Sequence, residues 1–301
     1  MSEVVSLSHV AKSFKNQKAV DDVSFTINKG EIVAILGPNG AGKTTTILMM
    51  LGLMEPDGGT VLLFNRDPRE KAVREKIGAM LQEVSVMDGL KCGEILQLVR
   101  TYYPNPHSLQ ELTALTGLKE DDLKKRAEKL SGGQKRRLNF ALALAGDPEM
   151  LFFDEPTVGM DISARKTFWE TIRQLKERGK TIIFTTHYLQ EADDVAERII
   201  MFHNGRVVAD GTPHEMKHKL AKQTVSFTAD YAMPLDEFWK LPNVKDVYRL
   251  GERIYILSDD SDKLLAELFQ TLTNIKNIQI EQGKLEEAFE RLTHDNGREV
   301  I

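Results

Sequence analysis

Gly37 to Thr45 reads Gly-Pro-Asn-Gly-Ala-Gly-Lys-Thr-Thr, set between the apolar run Ile32-Val33-Ala34-Ile35-Leu36 and the helix-like stretch Thr46 to Leu51. Strand, glycine loop and helix in that order fit the pattern G-x-x-x-x-G-K-[ST], in which backbone N–H groups converge on a polyphosphate. Gly37, Gly40 and Gly42 supply bare backbone, with Pro38, Asn39 and Ala41 between them. The Lys43 ammonium is expected on the β- and γ-phosphates, Thr44 offers a hydroxyl to Mg2+, a hard cation that prefers oxygen, and Thr45 continues the helix start. A glycine turn that merely ends a buried strand is the plain alternative. The flanking strand and helix argue against it, and for a nucleotide.

A second chemical group ends another apolar run. Met150-Leu151-Phe152-Phe153 is followed by Asp154-Glu155-Pro156. A carboxylate at that strand end is placed to hold magnesium through water opposite Thr44, which assigns Asp154 to the metal. Glu155, one residue on, is the candidate base for a water in line with the γ-phosphate. Adjacent acids before a proline are most often a surface turn, but such turns rarely follow a four-residue apolar strand.

The elements that must position these groups follow from periodicity. Val4 to Leu7 and Val23 to Ile27 alternate as strands about a polar turn near Lys15-Asn16-Gln17, an antiparallel ribbon. Phe14 precedes that turn; its ring could lie on an adenine face or be an ordinary half-buried strand aromatic, and the residue alone leaves both open. Strands are expected at Thr60 to Phe64 and Ile77 to Leu81, then a helical insertion over 83–130 broken by Pro104 and Pro106. A helix from about Lys135 to Ala145 precedes strand Met150 to Phe153. Helix 163–178, strand Thr181 to Thr185, helix 189–196 and strands near Ile199 to Phe202 and Val207 to Ala209 complete a mostly parallel α/β sheet, with the glycine loop at a strand's carboxyl end. A composition shift near Lys217 to Lys222 introduces a small α+β appendage: strand-like 224–228, Tyr248 to Leu257 and Ile275 to Ile280, helix-like 262–272 and 284–292.

Composition sets outer bounds. The balance of 41% hydrophobic and 28% charged residues is that of a globular chain with a real core. A net charge of -5 without basic runs gives no footprint for nucleic acid. The single cysteine, Cys92, suits a reducing cytoplasm. No run approaches the roughly 18 apolar residues that span a bilayer, so a membrane role is expected to be indirect.

Leu130-Ser131-Gly132-Gly133-Gln134, standing between the glycine loop and the Phe-Phe-Asp-Glu-Pro strand, completes a set that resembles the nucleotide-binding subunit of ATP-binding cassette (ABC) transporters over about residues 3–215. The resemblance implies a P-loop NTPase cassette: a mostly parallel sheet core, an antiparallel β subdomain and a helical subdomain near 83–145. The cassette would fill 1–220, and a C-terminal accessory domain 221–301. It implies ATP and Mg2+ as cofactors. Gln82 matches the glutamine that touches magnesium and senses the γ-phosphate; Asp161 matches the aspartate loop that crosses to a second subunit; His187 matches the switch histidine on the γ-phosphate. Phe14 stands where the family usually has tyrosine and Met160 where it often has leucine, both keeping apolar contact. Glu155 is not replaced, as in hydrolysing members. Ser131, Gly132, Gly133 and Gln134 would face ATP bound by another copy, so the resemblance implies a homodimer on separately encoded membrane permease subunits at the cytoplasmic face of the membrane. Coupling to them is expected through Glu83 to about Tyr103.

The tail Leu285 to Thr293 resembles cassettes serving bacterial drug and antibiotic exporters of the linearmycin- and daunorubicin-resistance types. Export of an amphipathic drug is the resulting expectation. Lipid, polysaccharide-precursor or other cargo are alternatives, as is a soluble ABC ATPase that transports nothing.

Overall fold

The computed structural model describes residues 2–15, 17–82, 89–220, 223–228, 234–271 and 275–281, with positions 285 and 289. It divides into two compact units, Met1–Asp210 and Gly211–Ile301.

In the first unit β1 (Glu3–Phe14) and β2 (Gln17–Asn28) form the expected ribbon, which β4 (Gly58–Leu63) extends into an antiparallel sheet of order β2-β1-β4. Alternation drives this: Val5, Leu7 and Val10 pair with Ile27, Phe25 and Val23, all buried, while polar neighbours face out. The other sheet holds β3 (Ile32–Leu36), β5 (Ile77–Met80), β6 (Met150–Asp154), β7 (Thr181–Thr185), β8 (Arg198–His203) and β9 (Arg206–Gly211), in the order β5-β6-β7-β3-β8-β9. Pairing is parallel from β5 through β8. β3, β6 and β7 are buried at every residue, which is why they read as unbroken apolar runs: helices cover both faces of a parallel sheet. β9 returns from β8 across Asn204-Gly205, and so short a connection joins antiparallel neighbours.

Helix α1 (Lys43–Met50) leaves the glycine loop after β3 and drives Ile47, Met49 and Met50 into a core shared by the two sheets. The short α2 (Lys71–Arg74) leads into β5. The insertion is helical as expected: α3 (Cys92–Arg100), α4 (Leu109–Thr116), α5 (Glu120–Leu123) and α6 (Gly132–Leu144). Glu83 to Asp88, the start of the expected coupling segment, lies outside the described residues. α6 begins at Gly132, three residues before the sequence expectation. The cause is a capping box, in which the Gln134 N–H donates to Ser131 Oγ at 3.3 Å and the Ser131 N–H to Gln134 Oε1 at 2.9 Å.

α7 (Ile162–Glu177) and α8 (Leu189–Val195) alternate with β6, β7 and β8. The rings of Phe140, Phe153, Phe168, Trp169 and Phe184 run from α6 across β6 and α7 to β7 with centroids 4.8–5.7 Å apart. They tie the helical insertion to the strands whose ends carry the acids. Among the described residues, no helix is long and apolar enough to cross a membrane.

The second unit holds α9 (Pro213–Leu220), α10 (Ser261–Thr271) and an antiparallel sheet of β10 (Gln223–Thr228), β11 (Val244–Leu250), β12 (Arg253–Ser258) and β13 (Lys276–Glu281) in the order β11-β12-β10-β13. Val225, Phe227, Ile254 and Ile256 pack with Leu264 and Leu268 of α10. Tyr248 to Leu257, read as one strand, is a hairpin of β11 and β12: Gly251 takes φ 60° and turns the chain. Of the tail Leu285 to Thr293, only Leu285 and Phe289 are among the described residues.

Gly78 marks the tightest helix-on-sheet approach, since a Cβ there would lie 2.0 Å from the Ala143 carbonyl oxygen of α6. Gly78→Ala should cost about 1–3 kcal/mol by forcing α6 off the sheet. Gly58→Ala, into open space, should change stability by less than about 0.5 kcal/mol, both variants being read by urea denaturation of the full chain.

Candidate active site

The glycine loop is shaped by what it must avoid. Gly42 caps α1 at φ 102°, and a Cβ there would sit 2.3 Å from the Ala19 carbonyl oxygen of β2. No side chain fits, so the loop backbone lies directly on the ribbon and its N–H groups stay bare. Lys43 is buried at 6% exposure, its Nζ donating to the carbonyl oxygens of Gly37 at 2.7 Å and Pro38 at 3.0 Å. Burial pushes its pKa below the usual lysine value, and the nearby charges of Glu155 and Asp154 pull it back up. The ammonium is thus held across the mouth of the loop, where a polyphosphate would supply the counter-charge it lacks.

Asp154 ends β6 beneath the loop at 2% exposure. Its Oδ2 accepts from Thr44 Oγ1 at 3.1 Å and its Oδ1 from Thr185 Oγ1 at 2.5 Å, so a carboxylate that would be costly to bury is satisfied on both oxygens. The parallel register that pairs Asp154 with Thr185 brings the two together.

At Glu155 the backbone turns to φ 50°, a conformation costing a non-glycine residue about 1–3 kcal/mol. Its N–H, shared between Thr185 O at 3.2 Å and Thr185 Oγ1 at 3.0 Å, holds that turn. The turn parts the two neighbouring acids: Asp154 points under the loop, and Glu155 reaches out. Its Oε2 lies 3.3 Å from His187 Nδ1 and accepts from Gln82 Nε2 at 3.4 Å, a long contact. Arg136 Nη1 donates to Pro156 O at 3.0 Å beside it.

These groups surround one cavity of 670 Å³. Phe14, every residue from Asn39 to Thr45, Gln82, Glu155 and His187 line it; Gly37 and Pro38 support it through their carbonyls, and Asp154 through Thr44. Of the two readings of Phe14, its place on the cavity wall, 46% exposed, agrees with a ring open to a base. The remaining predicted residues are elsewhere. Ser131, Gly133, Gln134 and Asp161 line a separate cavity of 590 Å³ between α4, α6 and α7, and Gly132 opens α6 exposed to solvent. Asp161 caps α7 by accepting from the Ala164 N–H at 2.8 Å. Among the described residues, none lines both cavities.

Thr185, Arg136 and Ala19 escaped the sequence reading. Thr185 left a trace, a hydroxyl ending an otherwise apolar strand, whereas Ala19 acts through its carbonyl and leaves none.

A phosphate loop whose lysine spans its mouth, with two acids at a parallel strand end, defines a nucleoside-triphosphate hydrolase. Comparison narrows this. The family described as ABC transporter matches residues 20–158. Over 98% of each chain the protein is 34% identical to Nod factor export ATP-binding protein I of Burkholderia lata. It is 33% identical to the daunorubicin/doxorubicin resistance ATP-binding protein DrrA of Streptomyces peucetius, covering 97% of this chain and 93% of that one. Among solved structures, a dimeric ATP-binding cassette in a post-hydrolysis state with ADP and Pi is similar at 29% identity and TM-score 0.64, over 69% of this chain and 98% of the other. The chain belongs to the ABC transporter family as an ATP-binding subunit, an ATP-hydrolysing enzyme whose reaction is coupled to transport.

Lys43→Ala should weaken ATP binding by about 1.5–3 kcal/mol, the worth of a charge-assisted contact, as read by titration calorimetry. An unchanged affinity would remove Lys43 from the phosphate site.

Proposed function

We propose that this chain powers export of an amphipathic drug or antibiotic, working as a homodimer on separately encoded membrane subunits at the cytoplasmic face of the membrane. The observation that carries the dimer is the division of the motif residues between two cavities. Lys43, Glu155 and His187 stand at one, Ser131 and Asp161 at the other, so a second copy is needed to bring both sets to one nucleotide. Relatives named for export, similar over nearly the whole chain, support the direction of transport and, through DrrA, the drug. The Nod factor export relatives, at about the same identity, favour a second reading in which the cargo is another secreted compound.

Within this reading Lys43 and the backbone N–H groups of Asn39 to Thr45 hold the phosphates, Phe14 lies against the base, and Glu155 takes a proton from the attacking water. His187 and Gln82 contact the γ-phosphate side. Ser131, Gly132, Gly133 and Gln134, at the start of a capped helix, face the γ-phosphate held by the other copy; the cap takes the N–H groups of Ser131 and Gln134 and leaves those of Gly132 and Gly133 to the anion, and Asp161 crosses with them. Thr44 and Asp154 are hard oxygen donors 3.1 Å apart at the cavity edge, a set that fits Mg2+, with Gln82 as a further oxygen. The ion, when bound, offsets negative charge on the β- and γ-phosphates. We assign residues 1–220 to the cassette, with its helical subdomain in 83–145, and 221–301 to an accessory domain; the second sheet starting at Gln223 supports this, while the compact units divide ten residues earlier, between Asp210 and Gly211, with α9 in the second.

Glu155→Gln keeps the carboxylate's size and loses the base. It should bind ATP, hydrolyse at least about a hundredfold more slowly and elute as a dimer with ATP in size-exclusion chromatography. Loss of the gene should raise sensitivity to at least one membrane-active or polyketide compound, which the wild-type chain restores and Glu155→Gln does not. Unchanged sensitivity across a broad panel would refute drug export. Wild-type hydrolysis by Glu155→Gln would refute the site.

A further inference from the structure

Glu191, on the first turn of α8, is a charged residue at 6% exposure that lines neither cavity. A buried carboxylate persists only where its oxygens are satisfied. Thr157 Oγ1 donates to Glu191 Oε2 at 2.9 Å and Thr186 Oγ1 donates to the same oxygen at 3.0 Å. Arg165 Nε stands 3.2 Å from Oε1, paired by charge, though its N–H direction misses the oxygen and makes no regular hydrogen bond. The Arg165 guanidinium also lies 4.6 Å from the ring centre of Tyr188, and that ring is 4.1 Å from the imidazole of His187. The Tyr188 N–H donates to Thr186 Oγ1 at 3.0 Å, closing the network.

Position gives these contacts their meaning. Thr157 is two residues after Glu155, Thr186 and Tyr188 flank His187, and Arg165 is one helical turn after Asp161. One carboxylate therefore ties together the three segments that carry the candidate base, the histidine beside it and the aspartate of the other cavity. The three contacts to the carboxylate are short and involve its charge, so displacing one segment loads the other two.

We propose that Glu191 is a positioning residue, which holds His187 against Glu155 and couples that pair to the Asp161 end of α7. It does so without touching nucleotide. The inference rests on the reading of His187 given above. Where that reading names a residue at the phosphate, this one names the brace that connects it to the cavity served by a second copy.

The experiment is steady-state ATP hydrolysis by the full chain, with ADP affinity by calorimetry and thermal unfolding on the same samples. Glu191→Gln keeps an acceptor for both hydroxyls and cancels the charge facing Arg165; Thr186→Val cuts the tie to the histidine loop at constant shape. Each should lower kcat about tenfold, the worth of one hydrogen bond to a charged group, with ADP affinity within about twofold of wild type. In a His187→Ala background, itself impaired, adding Glu191→Gln should cost less than about a further twofold, because the residue it positions is gone. If the two losses multiply, or if ADP affinity falls in step with kcat, Glu191 is only a structural support and the proposal is overturned. Wild-type kcat in both Glu191→Gln and Thr186→Val overturns it equally. Wild-type kcat in His187→Ala is a different result: it removes the histidine from the reaction, and the brace loses its object with it.

Discussion

The Asp154 carboxylate, gripped by the hydroxyls of Thr44 and Thr185, is the interaction on which the site depends. It locks three things in mutual register: the start of α1, the end of β6 and the end of β7. A one-residue slip of β6 against β7 would send Asp154 to the opposite face of the sheet and put another side chain under the loop. The pairing of Asp154 with Thr185 forbids that slip from below, and the fully buried residues of both strands forbid it along their length. The strain at Glu155 is tolerable for the same reason, because Thr185 binds the Glu155 N–H with the oxygens of both its backbone and its side chain.

What was legible in the sequence is what backbone chemistry demands locally. Gly37 to Thr45 could be read because bare N–H groups need glycine, whereas Ser131 to Gln134 stood out only through its resemblance to a family motif. The capping box that Ser131 and Gln134 form in the structure starts α6 at Gly132 rather than Lys135. The unbroken apolar strands announced the parallel sheet. Other features exist only once distant segments meet. Nothing near Thr185 in the chain says that it will receive Asp154 from the neighbouring strand, and Arg136 reaches Pro156 only because α6 packs over β6. The β11–β12 hairpin differs from the expectation for another reason: Leu250-Gly251-Glu252-Arg253 carries a single glycine as its turn signal, weaker than the strands on either side of it.

The two units differ in how they bury their apolar residues. In the first, two sheets and α1 share one core, so the antiparallel ribbon and the phosphate loop are packed as a single body. The second has a separate core, in which α10 covers an antiparallel sheet. All the residues assigned to nucleotide lie in the first unit. Chemistry and appendage therefore rest on different cores.

The Ala19 carbonyl carries a consequence of its own. It sits 2.3 Å from where Gly42 would carry a side chain and 3.0 Å from the same point on Gly205, while the Gly205 N–H donates to Ala41 O at 3.1 Å and its oxygen accepts from the Asp21 N–H at 2.8 Å. Strand β2, the phosphate loop and the β8–β9 turn are thus knotted at one point by backbone alone, with no room for any of them to open singly. Amides so joined are expected to open together. Nucleotide held by the loop would stabilise all three segments, so hydrogen–deuterium exchange in the Asn204-Gly205 turn should slow when ATP binds, although the turn lines no part of the cavity. The turn is a built-in reporter of occupancy.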